Sequence, residues 1–334
     1  MLFRTLLLGL LTLVAAGGAA CGGTGQEGSG GSGEKLSLVA YSTPKEAYGE
    51  LVPAWNKTPD GKGVTVDRSY GSSGEQTRAV QGGLETDVVT LSLAPDMDKL
   101  VETGEVAKNW SQTPTKGFVT NSVVTFVTRK GNPKNVKAWD DLLRKDVEVI
   151  TPNPVTSGGA RWNVMAAYGA QLEQGKSEAE GVKYLETLLN KVPVQDKSAR
   201  ESLQTFQGGK GDVLLAYENE AILAKKKGLD VDYVIPDQTL LIQNPIAVAQ
   251  QAPNKPKAEA FVGFLTGDEG QKIFASQGYR PVLKSADDPK QFPPPKQLFT
   301  IDKLGGWNKV VMRFFDEENG VVTKINEKAG QAAE

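Results

Sequence analysis

What most restricts the fold of this chain is a rhythm that begins at Lys35. Short runs of apolar and β-branched residues alternate with stretches that keep helical spacing. Residues 36–42 (LSLVAYS) predict a strand, and Pro44 opens the helical stretch that follows through Trp55, a position where proline is tolerated. Residues 64–70 and 86–93 predict two more strands. The second of these (TDVVTLSL) has the β-branched content of a buried parallel strand. Another follows at 123–128, and then the pattern restarts. Strand 147–151 precedes a helix over 161–172, and Val182, Leu185, Leu188 and Leu189 keep helical spacing. Strands at 212–216, 231–235 and 246–249 precede a late helix with Ala258, Phe261, Val262 and Leu265 on one face. Such alternation argues for an α/β architecture with mainly parallel sheets.

The start of the chain reads differently. Residues 1–20 hold one charge, Arg4, then an apolar run over 6–16 broken by Gly9 and Thr12, then Gly17-Gly18-Ala19-Ala20. This is the pattern of a secretory signal peptide, and the run is short of the about 20 apolar residues that a membrane span needs. Cys21 is the only cysteine, so no intramolecular disulfide can form. Its context resembles a bacterial lipoprotein signal, in which that cysteine is lipidated, although Gly18 stands where such signals usually carry leucine. An ordinary signal that leaves a free thiol is the alternative. Residues 22–33 form a flexible Gly/Ser tether. The chain is therefore expected to be exported, in the periplasm or on the outer face of the cytoplasmic membrane, lipid-anchored at Cys21.

Composition excludes several classes. The net charge of −2 leaves no basic footprint for nucleic acid. The chain has no histidine, which removes Ser–His and Cys–His catalysis and nearly all zinc chemistry. No metal and no cofactor is expected. An anchored hydrolase would have to use Asp212, Glu218 and Glu220 as paired carboxylates, but Glu218 and Glu220, two apart after a strand, better suit a hinge brace. Gly208-Gly209-Lys210-Gly211 lacks the spacing of a Walker loop.

Three segments place small polar residues where a strand ends and a helix begins: 69–74 (SYGSSG), 151–161 (TPNPVTSGGAR) and 197–200 (KSAR). The first N–H groups of a helix have no internal partner and the dipole favours negative charge, so each is a potential anion site. Each alone is equally an ordinary cap. Arg161 and Arg200 beside them are read as braces for the loops and not as ligands.

Thr151-Pro-Asn-Pro followed by Ser157-Gly-Gly-Ala-Arg-Trp-Asn163 closely resembles a hallmark segment of bacterial sulfate/thiosulfate-binding proteins. So do Tyr70-Gly-Ser-Ser-Gly74, Asp87-Val-Val-Thr-Leu91, Arg129-Lys-Gly-Asn-Pro133, Asp212-Val-Leu-Leu-Ala-Tyr-Glu-Asn-Glu220 and Tyr279-Arg-Pro281. The likeness runs in order from about Leu38 to Trp307. It implies the two-lobe (type II) periplasmic-binding-protein fold, each lobe a mostly parallel sheet flanked by helices, joined by two hinge crossings. One lobe would be 35–127 plus 245–334, the other 128–244. The anion would be enclosed between them by Ser73 (hydroxyl and N–H), the N–H groups of Gly158, Gly159, Ala199 and Thr43, Ser157 shaping its turn, and Tyr217. The family usually carries tryptophan in place of Tyr217. The resemblance further implies a monomer that delivers sulfate or a related oxyanion to the permease and ATPase of an ABC importer. Another oxyanion (molybdate, tungstate or phosphate) and a sensor with the same fold are the alternatives.

Overall fold

A computed structural model describes residues 34–330, so the signal, Cys21 and nearly all of the tether lie outside the described residues. The predicted rhythm is present. Strand β1 (Lys35–Tyr41), helix α1 (Lys45–Trp55), β2 (Thr65–Gly71), α2 (Ser73–Gln81), β3 (Val88–Thr90) and α3 (Ala94–Thr103) come first. The long β4 (Phe118–Arg129) leads to β5 (Val149–Ile150), α4 (Gly158–Glu173), α5 (Glu178–Leu189), α6 (Ala199–Gln207), β6 (Val213–Tyr217), α7 (Glu218–Lys226) and β7 (Val231–Val234). The equally long β8 (Gln238–Val248) returns to α8 (Lys255–Thr266) and α9 (Asp268–Ser276). Then come β9 (Gln297–Phe299), α10 (Gly306–Val310) and α11 (Val321–Lys328).

The strand order is β2-β1-β3-β8-β4-β6-β5, with β7 on β4 and β9 on β8. β1 pairs in parallel with β2 and β3, as β5 does with β6 and β8 with β9. Every antiparallel pair involves β4 or β8. These two strands carry the chain from one half to the other and back, so they must run against their neighbours. β4 pairs with β8 through Val123 and with β6 from Val124 onward, so one strand serves both halves. The expected boundaries at 127/128 and 244/245 fall inside these strands.

Each half has apolar packing on both faces of its sheet. In the first lobe, Leu38, Tyr48, Trp55, Phe261 and Phe274 pack on one face, and Val39, Val89, Met97 and Leu100 on the other. In the second, Phe126, Trp139, Trp162 and Leu185 face one side, and Val127, Leu203, Phe206 and Leu214 the other. Such two-sided burial explains the near-continuous apolar runs of the short strands.

One expectation about the domains needs correcting. Residues 245–334 do not all belong to the first lobe. Instead β9 pairs with the start of β8, and Phe299, Val310, Phe314 and Ile325 join the second lobe's core. The Trp307 ring meets Trp162 at 4.7 Å between centroids, and Phe314 meets Tyr168 at 4.7 Å. The apolar face of α4 and α5 needs this cover, so the chain makes a third passage between lobes before β9.

Candidate functional site

Helices α2, α4 and α6 begin in the same way. Ser72, Ser157 and Ser198 are their N-caps, and each side-chain oxygen accepts the N–H three residues on, from Glu75, Ala160 and Glu201. In α2 the Glu75 carboxylate returns the bond to the Ser72 N–H, completing a capping box. The cap leaves the first N–H groups free. Among the described residues, none accepts from the N–H of Ser73, Gly158, Gly159 or Ala199. The strand end after Tyr41 adds Ser42 and Thr43.

All of these residues line one small cavity between the lobes, together with Tyr41, Ser92 and Tyr217. It is small, with about 10 Å³ open to the centre of a water-sized sphere, far below the ~300–1,000 Å³ of a drug-sized site. No lining residue carries a charge. The seven residues expected at the site, Thr43, Ser73, Ser157, Gly158, Gly159, Ala199 and Tyr217, are thus brought together. The helix starts touch closely. A Cβ on Gly159 would lie 3.4 Å from the Ala199 Cβ and 3.6 Å from the Tyr217 ring, and one on Gly158 only 2.6 Å from the Ser92 Cβ.

The hydroxyls are not equivalent. Ser73 Oγ donates to Asp96 Oδ2 at 2.7 Å and accepts from the Ser92 N–H at 2.9 Å. Its one proton is committed to Asp96, so the Ser73 hydroxyl does not offer the expected donation into the cavity. Ser157 Oγ accepts from Ala160 and keeps its proton, which no described residue accepts. Tyr217 is fully buried, and its hydroxyl lies 2.6 Å from Ser92 Oγ. Burial pushes the Tyr217 phenol well above its ordinary pKa, as it does that of Tyr41. Sequence reasoning missed Ser92, although it too stands where a strand ends ahead of a helix.

The charged groups expected to brace the site do so. Arg161 Nε donates to the Pro154 carbonyl at 2.8 Å, and its guanidinium lies over the Phe315 ring. Arg200 reaches across the cleft to Glu46 (2.6 and 2.8 Å) and the Thr43 carbonyl (2.9 Å), and within its own lobe to the buried Glu220 (3.1 Å). Burial alone would lower the Arg200 pKa, but the Glu220 and Glu46 carboxylates outweigh it and raise it. Glu218 forms a two-bond ion pair with Arg280 at 2.6 and 3.0 Å. Asp212 accepts the Glu148 N–H at 2.9 Å. None of the three hydrolase candidates lines the cavity. Burial pushes the carboxyls of Glu218 and Glu220 up, against the pull of their arginines.

A family model described as bacterial extracellular solute-binding protein matches residues 36–280. A sulfate-binding protein of Synechococcus elongatus is 44% identical over 312 residues, which cover 90% of this chain and 89% of the relative. A thiosulfate-binding protein of Pseudomonas aeruginosa is 35% identical, covering 93% and 96%. The solved sulfate-binding protein SubI of Mycobacterium tuberculosis superposes with a TM-score of 0.82 at 43% identity, over 85% of this chain and 100% of that one. Two lobes on shared strands, meeting over a small cavity of polar donors, define a solute-binding protein, which holds its ligand and does not transform it. This chain belongs to the bacterial extracellular solute-binding proteins, and within them to the sulfate- and thiosulfate-binding group.

Proposed function

We propose that the protein captures sulfate, or the closely related thiosulfate, outside the cytoplasmic membrane and passes it to the permease and ATPase of an ABC importer. The observation that carries this reading is the meeting of three helix N-termini, with unpartnered N–H groups, at one small uncharged cavity. Sulfate has no proton at neutral pH, so its ligands must all donate, and a lining carboxylate would repel it. The N–H groups of Ser73, Gly158, Gly159, Ala199 and Thr43 and the Ser157 hydroxyl are such donors. Neutral donors to a charged group contribute about 1.5–3 kcal/mol each, so several can replace the hydration of a dianion without a counter-charge. Residues from both lobes hold the anion, which therefore favours the closed arrangement over an open one. An importer can read that difference.

The relatives named as sulfate- and thiosulfate-binding proteins support the substrate class. The anchor rests on the sequence around Cys21 and on a likeness to a putative substrate-binding lipoprotein of Bacillus subtilis, 25% identical over 245 residues. Among the described residues no helix is long and apolar enough to cross a membrane. The protein would act as a monomer.

The test is calorimetric titration with sulfate after bound anion is removed by partial unfolding and dialysis. One-to-one binding that survives excess phosphate is expected, and Ser157→Ala should weaken it by about tenfold or more. Failure of sulfate, thiosulfate and molybdate alike to bind the refolded protein overturns the proposal.

A further inference from the structure

We propose that Ser92 presents a hydroxyl proton to the bound anion, and that Tyr217 is a positioning residue acting through Ser92 and not on the anion itself. This rests on the reading of the cavity as an oxyanion site.

Ser92 and Tyr217 come from opposite lobes, at the ends of β3 and β6, and their hydroxyl oxygens are 2.6 Å apart. The pair has two protons, and their mutual bond uses one. The phenol is the more acidic hydroxyl and so the better donor. Its surroundings agree. The Asn244 oxygen accepts from Thr120 at 3.1 Å, so the amide turns its N–H to this corner, where it donates to the Ser92 carbonyl at 3.0 Å. Tyr217 therefore donates to Ser92 Oγ, and the Ser92 proton is left over. No other described residue accepts from Ser92 Oγ. Ser73, the nearest hydroxyl along the chain of bonds, already accepts the Ser92 N–H and donates to Asp96. The cavity that Ser92 lines is the remaining direction for its proton. The serine is fixed in place. Its carbonyl also accepts from Trp162 Nε1 at 2.9 Å, and its Cβ abuts Gly158. Tyr217 then sets which proton faces the ligand, and keeps Ser92 a donor. A donor suits sulfate and rejects the proton that hydrogen phosphate carries.

The experiment titrates the full chain, freed of bound anion, with sulfate in the presence and absence of phosphate. Ser92→Ala should weaken sulfate by about tenfold or more. Tyr217→Phe should weaken it less but reduce the preference for sulfate over phosphate, because the released Ser92 hydroxyl can then accept. The double variant should bind no more weakly than Ser92→Ala alone. A larger loss in Tyr217→Phe than in Ser92→Ala, or additive losses, would put Tyr217 on the anion and overturn the inference. So would a Ser92→Ala variant that matches the wild type. Should Ser92→Ala not fold, unchanged selectivity in Tyr217→Phe overturns it equally. A wild type that binds no oxyanion defeats the functional reading itself, and this inference with it.

Discussion

Gly158 illustrates how little room single residues have here. Its first-turn N–H faces the cavity, and a methyl group at this position would meet Ser92 at 2.6 Å across the cleft. Gly158→Ala must push the lobes apart or shift the start of α4. Overpacking of this kind costs about 1–3 kcal/mol, and because it falls on the contact between lobes it should appear in binding more than in folding. The expected outcome is a thermal midpoint lowered by a few degrees and sulfate affinity reduced by about tenfold or more. Titration and melting of the same sample check both. Glycine here answers to close approach and not to backbone angle. That is why the Ser-Gly-Gly segment could be read from the sequence as an anion loop, while its partner across the cleft could not.

At the scale of elements, what could be read and what could not follows from burial. The short strands β1 to β3 and β5 to β7 announce themselves as apolar or β-branched runs, whereas β9, three residues with Gln297 and Leu298 exposed, does not. The long β4 and β8 were only half visible. Phe118–Val123 and the stretch from Leu241 to Pro245 carry Thr120, Asn121, Ser122, Gln243 and Asn244, a composition that suggests loop. Their buried polar side chains find partners on each other and on neighbouring elements instead. Thr120 bonds to Asn244, Ser122 to Asn219, and Asn244 to the Ser92 carbonyl. Satisfied polar groups read as hydrophilic in a sequence and as core in a fold. The site shows the same division. The helix starts were legible because capping has a local signature. The commitment of the Ser73 proton to Asp96 was not, because it depends on a contact between β2–α2 and α3. Arg129 is a further case, a motif residue with no assigned task. Its guanidinium bonds to the carbonyls of Phe206, Lys210 and Gly211 at the far end of α6 and stacks on the Phe206 ring. It holds the helix whose other end supplies the Ala199 N–H. Lysine cannot reproduce this fork. Arg129→Lys should therefore cost about 2 kcal/mol of stability in denaturant unfolding.

Across the whole molecule, ion pairs tie the lobes together around Glu46, which meets both Arg200 and Lys227. Burial would raise the Glu46 pKa, but these cations outweigh it and hold the carboxyl below its ordinary 4.5. A depressed pKa means that its contribution is complete above the ordinary value and is lost as pH falls through the lowered one. Glu46→Gln should then melt lower than the wild type at about pH 7, and the gap should close in acid. Glu218 and Glu220, pushed up by burial, have the opposite sign. Glu218 is unchanged between the two proteins and cancels in the comparison, whereas loss of the Glu46 charge also eases the upward push on Glu220. Melting curves across pH measure the gap, and a gap that persists unchanged in acid would refute the assignment.

A cavity lined by serines, glycines and backbone amides has a consequence for life outside a cell, where acidity is not buffered by the cytoplasm. No lining group ionises near neutrality. The two lining tyrosines are pushed further from it by burial, and the chain has no histidine. The lining of the site therefore exchanges no protons with the surrounding water on capture. The heat of sulfate binding near pH 7 should be the same in buffers of very different ionisation enthalpy, and the affinity should stay level while the medium drifts from mildly acid to mildly alkaline. A receptor of this make reports how much sulfate is present and is indifferent to the acidity of the water that brings it.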